Sequence, residues 1–328
     1  MMSIASTLKK AVRANRFIQQ RVRTTEVNRL LAFPERVEIE STSFCNGRCR
    51  HCEHPSLGRP YAHMDMGLYR RVIDECDQWR KYCKEVFLFW MGEPFMDPEF
   101  FDKVRYAKAK NSFVVSSYSN GSMLTPDVCR ALVDSGLDKI VFGTDGATRE
   151  SYESIRVGLS FGRMVEGITR LASLKKQLGV RKPYVHVQMV LTPENAHEEA
   201  LFRQSWAGVA DEVTTRKMVV WGGDTIDDGL MDYSRELVGR GYPPSTPCAF
   251  LWRLMVVAQD GRVALCCTDS RVQHEVGDLT TESVRQVWQG QRMRDLREVH
   301  VAGRLNDIPI CETCNHRQII PYPWWWYR

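Results

Sequence analysis

The sequence has no long apolar run and only a small net charge. No segment approaches the run of about 20 apolar residues that a membrane-spanning helix needs. The basic N-terminal stretch has no apolar core like that of a signal peptide, so we expect a cytoplasmic protein. A net charge of +5 over 328 residues, without a basic stripe or an aromatic stacking platform, does not indicate a nucleic-acid partner. We therefore expect neither a membrane nor a nucleic acid as a partner.

Internal repeats and low-complexity segments are also missing, whereas cysteine is abundant. The chain has 11 cysteines, and in a reducing compartment this number favours metal ligands or thiol chemistry over disulfides. Eight of them form two groups, one near residue 50 and one after residue 247. The other three, Cys76, Cys83 and Cys129, fall at apolar helical positions and are expected to be buried.

Residues 36 to about 220 alternate short β-type runs with amphipathic helical stretches. The predicted strands cover residues 36–41, 86–90, 113–119, 139–143, 184–191 and 212–220, and they are rich in Val, Phe, Ile and Tyr. Strands that alternate with helices predict an α/β fold with parallel, right-handed crossovers. Either a doubly wound sheet or a partial barrel satisfies this pattern, and in both the chemistry gathers at the carboxyl ends of the strands.

A different pattern begins after residue 221. Glycines and prolines indicate a linker, and a β-hairpin with strands 254–258 and 263–267 follows, then a helix from about 282 to 299. The sequence thus predicts an N-terminal helical arm (1–35), an α/β domain (36–225), a linker (226–247), a small hairpin and helix domain (248–320) and an aromatic tail (321–328).

Three cysteines of the first group follow the first predicted strand, in the order Cys45, Cys49 and Cys52. Three thiolates so close in one loop can hold three irons of a [4Fe–4S] cluster and leave the fourth iron open. An open iron can chelate S-adenosylmethionine (SAM), whose C–S bond one electron from the cluster then cleaves. A zinc site completed by His51 or His54 is the alternative, although zinc motifs generally pair two two-ligand clusters at a distance.

The Cys-x3-Cys-x2-Cys spacing resembles the signature of the radical SAM superfamily. The similarity continues with Gly92-Glu93-Pro94 after the second strand, with Tyr118-Ser119-Asn120-Gly121 at the end of the third, and with a segment that ends in Arg156 after the fourth. The resemblance implies a partial (β/α)6 TIM-like barrel that cleaves SAM to a 5′-deoxyadenosyl radical and abstracts a substrate hydrogen. Two residues depart from the pattern. Met91 replaces the first glycine of Gly-Gly-Glu-Pro, and Gly143 stands where many members carry a serine.

The resemblance also implies roles for residues at the strand ends. Glu93 would contact the methionyl amino group of SAM, Arg156 its carboxylate, and His51 its adenine. The expected cofactor-binding residues are His51, Gly92, Glu93, Ser117, Asn120 and Arg156. The candidates for substrate contact are Ser119, Gln188, Arg216 and Lys217, and no catalytic acid or base is assigned.

The second group consists of Cys248, Cys266, Cys267, Cys311 and Cys314. Its spacing resembles the short, twitch form of the SPASM extension, Cys-x9–15-Gly-x4-Cys followed by Cys-x2-Cys. The resemblance implies an auxiliary [4Fe–4S] cluster on Cys248, Cys266, Cys311 and Cys314, with Cys267 as the reserve for Cys266. Four thiolates leave no open iron, but such a cluster can carry electrons. A structural zinc ribbon is the alternative.

Within the superfamily, the sequence is most similar to compact enzymes with one auxiliary cluster that modify sugars and cyclitols in biosynthetic pathways. This similarity implies an oxidoreductase, dehydrogenase-like in type, that acts on a small molecule. Its electron donor would be a flavodoxin or a ferredoxin. Two alternatives stay open: a maturase that modifies a ribosomally made precursor peptide, and a non-catalytic zinc-binding protein.

Overall fold

The structure is a computed structural model that describes residues 28–218 and 247–314. The predicted arm up to residue 27, the predicted linker up to residue 246 and the aromatic tail lie outside the described residues. Within the described part of the chain, no helix is long and apolar enough to cross a membrane.

Six parallel strands form one side of a nine-stranded sheet, with the last of them at its edge. They are β1 (Arg36–Ile39), β3 (Glu85–Phe87), β4 (Val114–Ser119), β5 (Lys139–Gly143), β7 (Tyr184–Leu191) and β8 (Glu212–Lys217), paired in this order. The short strands β2 (Arg48–Cys49) and β6 (Arg156–Val157) form a separate antiparallel ribbon. The mixed α/β class with a parallel sheet is confirmed.

Helices connect the parallel strands. They are α1 (Met66–Gln78), α2 (Phe100–Ala109), α3 (Pro126–Asp134), α4 (Arg149–Ile155), α5 (Phe161–Leu178) and α6 (Glu199–Trp206). Thr125 caps α3, because its side chain accepts the backbone N–H of Val128. Helix α5 ends at Gly179, which adopts the left-handed conformation (φ 65°) that glycine tolerates best. Both ends carry residue types that are typical of helix termini.

The C-terminal domain continues the same sheet. Its strands are β9 (Leu254–Val257), β10 (Arg262–Ala264) and β11 (Glu275–Asp278), and its helices are α7 (Phe250–Arg253), α8 (Val284–Trp288), α9 (Gln291–Val301) and α10 (Pro309–Thr313). Strand β9 pairs in parallel with β1, and β10 and β11 follow as antiparallel neighbours. The buried Trp288 indole donates to the Leu30 carbonyl (2.9 Å), so barrel and C-terminal domain share one apolar core.

The structure corrects several predicted boundaries. The single helix expected from about 282 to 299 is two helices, because Gly290 has an extended ψ of 163° between α8 and α9. Strands β1 and β3 end at Ile39 and Phe87, before the predicted residues 41 and 90. The backbone leaves the β1 ladder where the Glu40 carboxylate forms a two-pronged ion pair with Arg59, with both distances 2.7 Å.

Candidate metal centres

The first cysteine group lies in the loop after β1. Cys49 is part of β2 and pairs with Arg156 of β6, which fixes the loop against the end of the sheet. The backbone N–H groups of Gly47 and His54 lie 3.5 Å and 3.4 Å from the sulfurs of Cys45 and Cys52. Burial raises the pKa of both of these thiols to about 12. A bound metal would supply the positive charge that favours their thiolate forms.

Glycine at position 92 allows the next loop to touch the cysteine loop. A Cβ atom there would overlap the carbonyl oxygens of Thr42 and Phe44. The N–H of the following residue, Glu93, donates to the same Phe44 carbonyl (2.8 Å). Any larger residue at position 92 would therefore separate the two loops.

The Glu93 carboxylate is 2% exposed and held by three donors. It accepts hydrogen bonds from the Ser119 hydroxyl (2.8 Å), the Asn120 N–H (2.8 Å) and the Phe95 N–H (3.3 Å). Burial raises the pKa of Glu93 to about 7, so a cation bound beside it would stabilise its charged form. Ser119, a candidate for substrate contact, is placed here as a support for Glu93.

A buried ionic cluster joins the ends of β5, β6 and β7. Two nitrogens of Arg156 lie 2.7 Å and 2.9 Å from the same Asp145 oxygen, and Nε2 of His51 lies 3.2 Å from it. Burial acts to raise the pKa of Asp145, but the charge of Arg156 holds it below its ordinary value. Burial lowers the pKa of His51 to about 4, so this imidazole is neutral at pH 7. A neutral ring that keeps a small exposed face is suited to packing against a base.

Gly143 leaves room for two polar groups. A Cβ atom at this position would overlap the Tyr118 hydroxyl and the Arg156 guanidinium. A serine, which many superfamily members carry here, would displace both groups. Tyr118 thus occupies the space of the expected serine, although it is not among the predicted site residues. The sequence offered one clue to this role: a tyrosine at the end of one strand and a glycine at the end of the next.

The other predicted site residues have different surroundings in the structure. The Asn120 amide donates to Asn46 in the cysteine loop (2.8 Å), whereas the Ser117 hydroxyl is buried and donates to the Leu88 carbonyl (2.7 Å). The Gln188 amide donates to Thr214 (3.3 Å) on the neighbouring strand. The positive charge of Arg216 contributes to lowering the pKa of His51, so Arg216 shares this region. Lys217, the last residue of β8, is exposed.

The second cysteine group surrounds one cavity in the C-terminal domain. The cavity is lined by Cys248, Cys266, Cys311 and Cys314. Cys267 instead packs against the apolar cluster around Trp90 and Met91. The structure therefore places Cys266, the residue selected by the spacing, with the other three cysteines. Met91, which departs from the superfamily pattern, is accommodated because it packs against strand residues of the C-terminal domain.

The arrangement of the four thiols suits an iron–sulfur cluster. Within residues 28–218 and 247–314, no three His, Cys, Asp or Glu side chains converge closely enough to hold a single metal ion. Four thiolates around one cavity can hold a cluster of several irons. The loop after β1 offers three thiols, Cys45, Cys49 and Cys52. The residues present fit both clusters.

Hydrogen bonds connect the two cysteine groups. The Trp90 indole donates to the Cys267 carbonyl (2.9 Å), and the Ser270 hydroxyl donates to Glu53, the residue after Cys52. Arg59 donates to the Ser270 carbonyl (2.9 Å) while it holds Glu40. The C-terminal domain is thus fixed to the cysteine loop of the barrel through buried polar contacts.

Comparison with known families agrees with this geometry. The family model of the Radical SAM superfamily matches residues 39–204, and that of the SPASM iron–sulfur cluster-binding domain matches residues 248–315. The chain belongs to the radical SAM superfamily. The cofactors of this radical SAM enzyme are [4Fe–4S] clusters and SAM.

Curated relatives of this radical SAM enzyme have diverse functions. The chain is 29% identical over 158 residues to the tungsten-containing aldehyde ferredoxin oxidoreductase cofactor-modifying protein of Pyrococcus furiosus, which covers 48% of this chain and 44% of that protein. It is 31% identical over 134 residues to the mycofactocin maturase MftC of Mycobacterium tuberculosis, which covers 41% of this chain and 33% of MftC. The matched region thus spans less than half of each of these relatives.

Solved structures share the fold of this radical SAM enzyme over most of its length. BtrN in complex with AdoMet (SAM) and 2-DOIA superposes with a TM-score of 0.57 at 18% identity, covering 86% of this chain and 93% of BtrN. SuiB of Streptococcus suis bound to its precursor peptide SuiA gives a TM-score of 0.64 at 11% identity, covering 85% of this chain and 70% of SuiB. At these identities the likeness concerns the fold.

Proposed function

We propose that this radical SAM enzyme oxidises a hydroxyl-bearing small molecule, such as a sugar or a cyclitol, and that the auxiliary cluster accepts an electron from the substrate. The observation that carries the proposal is the set of four cysteines around the cavity of the C-terminal domain. Four protein thiolates complete a [4Fe–4S] cluster, which leaves no iron for a substrate to bind but leaves its redox function intact.

Residues at the strand ends would bind SAM. Glu93 would accept a hydrogen bond from the methionyl ammonium, which also compensates the buried carboxylate. Arg156 and the Tyr118 hydroxyl would donate to the methionyl carboxylate, and the neutral His51 ring would pack on the adenine. When bound, the catalytic cluster and SAM supply the one-electron chemistry that generates a radical and removes a hydrogen atom from the substrate.

The oxidation balances if the substrate loses one hydrogen atom, one proton and one electron. The hydrogen atom goes to the deoxyadenosyl group, the hydroxyl proton leaves as the ketone forms, and the electron goes to the auxiliary cluster. Arg216, Lys217 and Gln188 are proposed to contact the substrate, because they lie on β7 and β8 at the same end of the barrel as the cofactor residues. The overall extent of the BtrN likeness, 93% of that chain, supports a compact small-molecule enzyme.

Loss of the auxiliary cluster tests this function. The Cys311→Ala/Cys314→Ala variant is expected to cleave SAM but to make little oxidised product, because the substrate radical has lost its electron acceptor. The measurement is the ratio of ketone to 5′-deoxyadenosine under anaerobic, dithionite-reduced conditions, with Cys129→Ala as the matched control for loss of a buried thiol. A variant that keeps its catalytic cluster and oxidises substrate at the normal ratio would contradict the acceptor role and favour a redox-neutral reaction.

Peptide modification is the second candidate function. The fold likeness to SuiB, with a TM-score of 0.64, and the sequence similarity to mycofactocin maturase support it. A screen of small polyols against precursor peptides separates the two candidates. If a precursor peptide stimulates formation of 5′-deoxyadenosine and none of the polyols does, the maturase function is favoured.

A further inference from the structure

A histidine lies in the wall of the auxiliary cavity. His300 is 1% exposed and comes from helix α9, whereas the cysteines around it come from other segments. The backbone N–H of Cys248 donates to its Nδ1 atom (3.2 Å), and its Nε2 atom lies 3.6 Å from the sulfur of Cys311. The imidazole therefore touches two of the four cysteine residues at once.

These two contacts determine which ring nitrogen carries the proton. A neutral imidazole has one N–H and one acceptor nitrogen. Because Nδ1 accepts the backbone N–H of Cys248, the proton resides on Nε2, which faces the Cys311 sulfur. Nε2 is thus the donor of an N–H···S hydrogen bond.

A second donor lies at another cysteine of the cavity. The hydroxyl of Thr268, which is 3% exposed, lies 3.1 Å from the Cys266 sulfur. A cysteine that binds iron is a thiolate and has no proton to donate, so the hydroxyl is the donor. The other non-cysteine residues that line the cavity are the apolar Phe250, Leu251, Leu265 and Ile310.

We propose that His300 and Thr268 raise the reduction potential of the auxiliary cluster by donating hydrogen bonds to the sulfurs of Cys311 and Cys266. Reduction adds one electron, whose charge is shared with the ligand sulfurs. A donor aimed at a sulfur stabilises this charge more in the reduced state than in the oxidised state. The inference rests on the proposed cluster ligands and explains how this cluster could accept an electron.

The test measures the potential of the auxiliary cluster alone. The full-length chain carries Cys45→Ala, Cys49→Ala and Cys52→Ala, so that the EPR signal comes from the remaining cluster. In this background, Thr268→Val and His300→Leu each remove one donor, and each is expected to shift the reduction equilibrium about tenfold toward the oxidised state, or about 59 mV for one electron. His300→Gln retains an acceptor for Cys248 and a donor for Cys311. Its reduction potential is therefore expected to stay close to that of the parent protein. Ile310→Val is the control for a change in the cavity wall without loss of a donor.

Iron and sulfide content is measured first in every variant. A lower potential in Thr268→Val and His300→Leu, with full cluster content and an unchanged Ile310→Val, supports the proposal. Unchanged potentials in clusters of full content overturn it, and so does a loss of iron in His300→Gln, which would make His300 a ligand. If His300→Leu does not hold the cluster, the nearly isosteric Thr268→Val and the conservative His300→Gln decide between these outcomes. A failure of the acceptor function would appear in the product ratio and would leave the potential shifts in place.

Discussion

Replacement of Glu93 by alanine removes the group proposed to bind the methionyl ammonium. A charge-assisted hydrogen bond of this kind contributes roughly 1.5–3 kcal/mol. Its loss is expected to weaken SAM binding about ten- to hundredfold. The same change leaves the donors on Ser119, Asn120 and Phe95 without their acceptor, at a cost of roughly 1–3 kcal/mol for each fully buried group. The variant is therefore expected to bind SAM weakly and also to be less stable.

Two further variants separate these effects. Glu93→Gln keeps the size and an accepting oxygen but loses the charge, so it is expected to lose SAM affinity with a smaller loss of stability. Ser119→Ala removes one donor and leaves the carboxylate, so its affinity is expected to fall less than tenfold by the same estimate. SAM affinity is measured by equilibrium dialysis on anaerobic protein with matched iron content, and stability by urea unfolding. Wild-type affinity in both Glu93 variants at full iron content would refute the assigned contact.

Three further predictions concern the metal centres and Gly143. Alanine at any one of the three loop cysteines of the barrel is expected to abolish 5′-deoxyadenosine formation under dithionite, because no other described thiol is close to this loop in sequence; a triple variant that still cleaves SAM would exclude this cluster site. Two [4Fe–4S] clusters predict about eight irons per chain after reconstitution, whereas about four irons with one zinc would identify the C-terminal site as a zinc ribbon. Gly143→Ser is expected to weaken SAM binding about tenfold or more, since the side chain would displace Tyr118 and Arg156. Gly162→Ser, in helix α5 where an added Cβ would meet only ordinary contacts, is the matched control. Equal SAM affinities in the two serine variants would contradict the proposed effect of Gly143→Ser.

The sequence was sufficient for the fold class and for the superfamily, whereas the individual cysteine ligands stay predictions. Strands such as Lys139–Gly143 and Tyr184–Leu191 agree with the prediction to the residue, because their apolar β-type runs end abruptly. The family models confirm the superfamily and the SPASM resemblance on which the cofactor assignments rest. The resemblance to the SPASM pattern favours Cys266 over Cys267, and Cys266 is the one of the two that lines the cavity.

Contacts between distant segments could not be predicted. Ser119 was expected to contact substrate, because the pattern gives its strand end but not that its hydroxyl points to Glu93. Tyr118 was missed since its role depends on the empty position at Gly143 on the next strand. The break between α8 and α9 depends on Gly290 being extended, whereas the local periodicity favours a continuous helix. His300 was not selected because nothing in sequence relates it to Cys248, 52 residues away.

The parallel pairing of β9 with β1 has a consequence for folding and expression. Without the C-terminal domain, the backbone N–H and C=O groups of β1 that pair with β9 would be unpaired. The strand also carries the apolar side chains of Val37 and Ile39, which are buried in the structure. Such an edge is a template for intermolecular strand addition. In the described part of the chain, the sheet instead ends at β11, a four-residue strand that begins with Glu275 and ends with Asp278. The C-terminal domain therefore covers the β1 edge of the barrel. We expect the barrel expressed alone to aggregate even where its own cluster site is intact.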